Sequence, residues 1–465
     1  MFLNPDENNN IALDRYEAML KSNRVVFFDS NEFENIIHHY LDNGQLNKAK
    51  RAVSMGLSQH PSSISLKLFN IEILIFDDQL DKAEEVLDIL QELEPENDEI
   101  YIQKAAICSK RDEHPQAIGL LKFALSCSQE PADIHSLLGM EYLFIDDFEN
   151  AKKHFTECLL LDPDDYSSLY NTINCFNFLN QADEAVEFLS KYLDVNPYCE
   201  IAWHQLGKQY KNQKELVKAL AAFDFAIISD DTFVGAYIEK GKILEKLERF
   251  QDAIENYMVT LELEDPTSYA LLHIGICFEK LNDITKALFY YKKAVHEDPL
   301  LDKGWIAITE FYLKQKKYEK ALYNINKAID IDSENVDYWR HSAIINNRLL
   351  NYEEAEISYR KTLELGDVSL NIWLNRADVL YHAGQPEAAI ICLNQALELY
   401  PKNSEINFRL AGIFFEAKND IKAEYHFIEA FENEPEFFLI IEELFPDVAK
   451  LNKVKELIVT LSKNK

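Results

Sequence analysis

Glycine and proline are scarce, at 12 and 13 residues in a chain of 465, against about 7% and 5% in average proteins. So few turn formers exclude a many-stranded β sandwich, a collagen and an array of disordered linkers. Basic residues are short too: 47 Lys and Arg face 80 Asp and Glu, a formal net charge of −33. Phosphate recognition rests on clustered Lys and Arg, so nucleic acid is not an expected partner, and anionic membrane surfaces are disfavoured for the same reason. No apolar run reaches the roughly 18 residues that span a bilayer. The amino-terminal MFLNPDENNN lacks the basic-then-apolar order of a secretion signal. The seven cysteines, at 108, 127, 158, 175, 199, 277 and 392, show neither C-x-x-C nor zinc-ligand spacing, so no disulfide framework and no metal site is expected. No P-loop, H-E-x-x-H or G-x-S-x-G occurs and the histidines are dispersed, so the chain is expected not to be an enzyme and to need no cofactor. A cytoplasmic location fits these absences.

What the sequence has instead is a period. Alanine stands at 49, 83, 117, 151, 185, 219, 253, 287, 321, 355, 389 and 423, each 34 residues after the last. Four residues later comes an apolar side chain every time, from Val53 to Phe427. Twelve residues before the alanine a small side chain recurs: Ala105, Gly139, Gly207, Gly241, Gly275, Thr309, Ala343, Ala377 and Ala411. Proline follows it by twelve at 61, 95, 163, 197, 299, 401 and 435. Within 268–301, Leu271, Ile274 and Phe278 flank Gly275 at helical spacing, Asn282-Asp283 interrupts, and Ile284, Ala287, Leu288, Tyr291, Ala294 and Val295 form a second stripe. The unit is helix, turn, helix. Gly275 and Ala287 are read as small because antiparallel helices approach closely, with Tyr291 and Phe278 filling the space between successive pairs. One pair cannot bury both stripes, so the units must stack.

With Trp or Tyr early in the unit (Trp203, Tyr237, Trp305, Trp339, Trp373), Leu206-Gly207, then Ala, aromatic, Ala and Pro, the chain resembles the tetratricopeptide repeat family. The resemblance implies an all-α fold, a right-handed α-solenoid (superhelix) of twelve 34-residue helix-turn-helix repeats at 30–437. An N-terminal capping segment at 1–29 and C-terminal capping helices at 438–465 complete it. Residues 11–22 read as a short amphipathic helix, Val25–Phe28 as an apolar lead-in, and 437–465 as one or two helices. Asp29 and Glu32 have capping-box spacing. Ile37, Ile71 and Ile173 depart from the small position, and Leu90 and Tyr192 from the second-helix alanine. Repeat 166–199 is the one that joins a bulky first-helix residue, Ile173, to an aromatic at the second-helix position, Tyr192, so its packing should be locally widened. Acidic residues crowd the inter-repeat turns, as at Asp162–Asp165 and Glu262–Asp265, where they suit the N-terminal dipole of the next helix.

The resemblance also implies that the first helix of each repeat lines a concave face and that its outward residues select a partner. Lys246, Lys280, Lys314 and Arg348 recur there at one offset, with His382 after them and Lys242 nearby, giving a basic ladder able to pair with carboxylates. Asn171, Asn174 and Asn177 share one helix face beside Gln205, Lys208, Lys211 and Asn212 of the next repeat. Asparagine is a poor helix former, and side-chain amides suit the backbone of a bound peptide. A merely hydrated polar face is the competing reading. Phe76, Phe144 and Phe178 occupy the ladder offset earlier in the chain, as an apolar stretch of groove, packing, or an oligomer contact. The carboxylate clamp by which some relatives grip chaperone tails is incomplete, since Tyr170, Gly235 and Glu239 stand where its cations would be. The expected function is a non-catalytic scaffold or adaptor holding an extended or helical, acidic segment of another protein. The alternatives are a self-associating structural or regulatory, co-chaperone-like protein, a homodimer through the N-terminal aromatic face, and an accessory subunit of an enzyme complex.

Overall fold

The computed structural model describes residues 5–22, 26–263 and 267–463. Among them are 28 α-helices, one 3-10 turn and no strand. Val25 of the apolar lead-in, and Glu264 and Asp265 of one acidic turn, lie outside the described residues. The chain divides into two compact units, Met1–Ala236 and Tyr237–Lys465, with the boundary in the first turn of α14 (Val234–Lys246).

In the first unit α1 (Pro5–Ser22) precedes six helical hairpins, each a first (A) and a second (B) helix. These are α2–α3 (Ser30–Asp42, Leu46–Gln59), α4–α5 (Ile64–Phe76, Leu80–Leu93) and α6–α7 (Asp98–Lys110, His114–Cys127). Then follow α8–α9 (Ala132–Phe144, Phe148–Leu161), α10–α11 (Tyr166–Phe178, Ala182–Val195) and α12–α13 (Glu200–Asn212, Leu216–Ser229). Ala12, Tyr16 and Met19 of α1 bury against Phe28, Phe33 and Tyr40. Beyond α14 the second unit continues with α15 (Phe250–Glu262), α16–α17 (Ser268–Lys280, Ile284–Glu297), α18–α19 (Asp302–Lys314, Tyr318–Ile331) and α20–α21 (Val336–Arg348, Tyr352–Glu364). The hairpins α22–α23 (Leu370–His382, Pro386–Leu399) and α24–α25 (Ser404–Glu416, Asp420–Asn433) complete the repeats. The segment read as one or two helices is three short ones, α26 (Leu439–Leu444), α27 (Pro446–Ala449) and α28 (Asn452–Lys463), because Pro446 ends the first and starts the second. Phe445 and Val448 from this end bury into the last hairpin's core.

Three local devices repeat. The turn inside each hairpin holds one residue in the left-handed region, at Gly44, Asp78, Asp112, Asp146, Asn180, Lys214, Glu248, Asn282, Lys316, Leu350, Gly384 and Lys418. That spacing of 34 is the structural form of the period. Turn carboxylates and amides cap the helices that follow: Asp165 accepts from the Ser168 N–H at 3.0 Å and Asp283 from the Lys286 N–H at 3.2 Å. The early tryptophan ties helix A to the preceding turn, since Trp203, Trp305 and Trp339 donate Nε1–H to the carbonyls of Pro197, Pro299 and Ser333 at 2.8–2.9 Å.

The small position works differently from the expectation. A Cβ built on Gly139 would lie 2.5 Å from the Phe155 ring, on Gly207 2.7 Å from Phe223, and on Gly275 2.5 Å from Tyr291. Each ring comes from helix B of the same hairpin, so Tyr291 fills space inside its own hairpin rather than between hairpins. In three of the hairpins whose facing residue is aliphatic, isoleucine takes the small position: Ile37 faces Val53, Ile71 Leu87 and Ile173 Leu189, all buried; in three others alanine or threonine stays there, at Ala105, Thr309 and Ala377. In those three hairpins the A and B helices approach less closely than in α8–α9, α12–α13 or α16–α17. The widening is strongest in α10–α11, where Tyr192 also replaces a small residue and donates to the Pro163 carbonyl.

Candidate functional site

In the second unit the predicted cations occupy the A-helix face. Lys246, Lys280, Lys314 and Arg348 are all exposed at the C-terminal ends of α14, α16, α18 and α20. They are not equivalent. Lys314 is ion-paired with Glu279 of the preceding repeat. Glu279 also accepts the Tyr291 hydroxyl at 2.7 Å. Burial would push this carboxyl up, but hydrogen bonds from Lys314 and Tyr291 and the charges of Lys314 and Lys280 outweigh it and hold Glu279 below the usual carboxylate range. Lys242 pairs with Glu239 at 2.7 Å and sits 5.0 Å from the Tyr269 ring centroid. Among the described residues no ion pair engages Lys246, Lys280 or Arg348.

Lys280 and Lys314 border a cleft of about 790 Å³ between α16 and α18. Its floor is apolar (Leu272, Ile276, Ile306, Ala307), and Glu310 and Lys303 stand on the far wall. At one end His273 stacks on Tyr269 with ring centroids 4.1 Å apart and meets Glu245 at 2.7 Å, which also accepts the Tyr257 hydroxyl. These carboxylate–tyrosine pairs recur in successive hairpins, and Glu279 with Tyr291 lines the cleft. Single residues in the sequence did not reveal them, although the columns Glu245/Glu279 and Tyr257/Tyr291 are spaced by 34.

The amide patch of the first unit is partly committed. Asn174 and Asn212 are exposed, Lys208 and Lys211 are half-buried, and Asn177 accepts a hydrogen bond from Gln209 at 3.3 Å. Asn171 faces the Met140 sulfur at 3.6 Å. Gln205, predicted on the open face, is buried and hydrogen-bonded to Tyr170. Gln209, one turn beyond Gln205 on the same helix, is buried and joins the two repeats.

The three phenylalanines form separate contacts. Phe144 stacks on His114 at 4.9 Å, and Phe178 on Phe148 at 4.7 Å. Phe76 lies over a small cleft with Leu41 and Ile73, whose edge is Lys110, and that ammonium donates to the Ile75 carbonyl at 2.6 Å. A cation therefore interrupts the apolar row between Phe76 and Phe144. All seven cysteines are free thiols. Among the described residues no group of three or more His, Cys, Asp or Glu side chains is placed to hold a metal ion, and no helix is long and apolar enough to cross a membrane.

Stacked helical hairpins of one length, with a side-chain-lined A-helix face and no strand among the described residues, define an all-α solenoid repeat protein. Profiles of the tetratricopeptide repeat match residues 132–165, 269–300 and 370–413, each opening at the start of an A helix. The chain carries tetratricopeptide repeats at these positions. It is 26% identical over 172 residues to the Homo sapiens protein O-mannosyl-transferase TMTC3, covering 34% of this chain and 19% of that one. It is 22% identical over 226 residues to the Hsp70-Hsp90 organizing protein of Triticum aestivum, covering 41% and 39%. The chain thus spans well under half the length of these relatives. A solved structure described as YrrB, a TPR protein with an unusual peptide-binding site, aligns with a TM-score of 0.32 at 18% identity, over 38% of this chain and 92% of that one.

Proposed function

We propose that this protein is a non-catalytic interaction scaffold that holds an extended or helical segment of another protein on its A-helix face. The observation that carries the reading is the cleft between α16 and α18, an apolar floor bordered by Lys280 and Lys314. Small polar-rimmed concavities of this kind bury apolar side chains while a few placed charges set orientation. Lys280 offers an ammonium without an ion-pair partner beside the Lys314–Glu279 pair, so an acidic segment fits. A rigid stack loses little ordering entropy on binding, which favours a face of few polar contacts. The exposed amides of Asn174 and Asn212 supply a second contact region in the first unit, suited to peptide backbone. The relative named as an organizing protein for two chaperones supports a scaffold role.

The test is photocrosslinking from positions 276 and 306 in the full chain, with the captured segment read by mass spectrometry. A segment rich in Asp and Glu, lost from Lys280→Glu with Lys314→Glu, is the expected result. Equal capture by wild type and the double variant overturns the reading. A self-associating role through Phe76, Phe144 and Phe178, which are 68%, 56% and 64% exposed, is the second reading. Substituting all three by serine without change in solution mass removes it.

A further inference from the structure

We propose that the B-helix face of the second unit is a self-association surface whose occupant is a second copy of this chain. Two residues after the periodic alanine, five successive B helices present Phe289, Tyr323, Ile357, Ile391 and Tyr425, each between 49% and 62% exposed. The same position holds Arg51, Glu85, Gly119, Lys153, Glu187 and Ala221 in the first unit and Glu255 at the start of the second. Hairpin packing covers these side chains only in part: Tyr323 borders Trp305 and Tyr312 of its own helix A yet stays 62% exposed. The helices that carry them are neighbours: Lys292 of α17 and Tyr323 of α19 close a pocket of about 500 Å³ floored by Trp305 of α18.

Five large side chains at that exposure leave about 500 Å² of apolar surface in one row, the size of the largest patch on a typical solitary protein, and such patches are often functional. Charged rows flank it. One helical turn toward the N-termini stand Glu319, Glu353 and Glu387, with Thr285 and Ile421 at the ends, and one turn toward the C-termini Lys293, Lys327 and Lys361, followed by Gln395 and Glu429. Helix dipoles account for the sign of each row but not for the apolar row between them. Together the three rows approach the roughly 800 Å² per partner of a stable interface.

The arrangement is complementary to itself. Let two copies face each other about a twofold axis parallel to the apolar row. Each apolar residue then meets its own equivalent, and the lysine row of one copy meets the glutamate row of the other. Lys327 faces Glu319 of the second copy, and Lys361 faces Glu353. The facing B helices run antiparallel, so their dipoles also oppose. An axis across the row would set like charges together, and that docking is disfavoured. The face therefore specifies both the partner and its orientation.

Light scattering on the full chain tests this. Wild type should show a concentration-dependent dimer with a midpoint of the order of micromolar, and Tyr323→Glu with Ile391→Glu should remain monomeric with an unchanged helical circular dichroism spectrum. Lys327→Glu with Lys361→Glu should weaken dimerisation about tenfold or more, as should Glu319→Lys with Glu353→Lys. The four changes in one chain should restore it, because opposite rows again meet. Three outcomes overturn the proposal: wild type monomeric at about 100 μM, a four-fold variant no tighter than either charge-row variant, or the face occupied by an amphipathic helix of another protein while the chain stays monomeric. Lys280→Glu with Lys314→Glu, on the A-helix face, should leave the dimer intact, so this test and that of the scaffold role fail independently.

Discussion

Hairpins α8–α9 and α10–α11 are neighbours with the same turn and the same length, yet their helices lie at different separations. In the first, Gly139 receives the Phe155 ring. In the second, Ile173 meets Leu189, and both are buried. Helix A gains a whole branched side chain while helix B only exchanges a ring for an isobutyl group, so the pair grows in volume and the helices stand further apart. Between these two hairpins the space shared by the two positions is filled in different ways and the helix separation follows, as expected of interiors packed to crystal density.

Two variants break this comparison most directly. Ile173→Gly deletes a whole buried side chain opposite Leu189 and adds the backbone freedom of glycine in a helix. It should cost about 4–5 kcal/mol, read as a lowered denaturant midpoint and faster amide exchange in α10 and α11. Restoring volume from the other side, with Leu189→Phe, should recover most of it. Gly139→Ile drives a branched side chain into the Phe155 ring and should cost about 3 kcal/mol. Adding Phe155→Leu should return α8–α9 to near wild-type stability with wider helices, and the double-mutant cycle should show coupling of about 2 kcal/mol. Strict additivity in both cycles would mean that the two positions do not share a space.

Much of this was legible in the sequence and some was not, for stated physical reasons. The period, the hairpins and the opening of repeat 166–199 follow from single columns, because a fixed repeat length forces equivalent residues into equivalent places. The partnership between small and aromatic positions needs two columns read together. Seen alone, Gly275 suggested close helices; seen with Tyr291, it is a socket for a ring. The ladder cations were found, but not that Glu279 already holds Lys314, since that pair joins residues 35 apart across two repeats. Gln205 was misplaced because a helix presents a gradual edge between buried and open positions, and its side chain turns inward to Tyr170. The segment after residue 437 has no period to constrain it, and one proline there divided a helix that hydrophobic spacing had joined.

A smaller difference between the two hairpins is electrostatic. In α8–α9, His135 and His154 meet through their Nδ1 atoms at 3.0 Å; the equivalent residues of α10–α11 are Leu169 and Phe188. Burial, with His135, Lys153 and Lys122 nearby, lowers the His154 pKa to about 4, and burial lowers His135 as well against the pull of Glu157. Unfolded histidine binds its proton near pH 6.5, so from there down to about pH 4 the unfolded chain holds more protons and stability falls as the solution is acidified. Amide protection in α8–α9, taken relative to the intrinsic exchange rate at each pH, should therefore fall between these pH values while that of α10–α11 does not. His154→Phe should flatten the difference; an unchanged acid response in that variant would place its origin elsewhere.

The smallest effects should come from the turns, and their equality matters more than their size. Asp146 closes α8–α9 and Asn180 closes α10–α11, both at φ 57, so the unequal separations do not begin at the turn. Asp and Asn tolerate this left-handed conformation better than other side chains, and glycine adopts it freely. Asp146→Gly and Asn180→Gly should each shift stability by less than about 0.5 kcal/mol, in the same direction. Leu350 holds the same conformation at φ 62 with no such tolerance, so Leu350→Gly should stabilise α20–α21 by about 1 kcal/mol. If Asn180→Gly instead shifted stability far more than Asp146→Gly, the turn would be setting the helix separation, and the pairing of Ile173 with Leu189 would be its consequence rather than its cause.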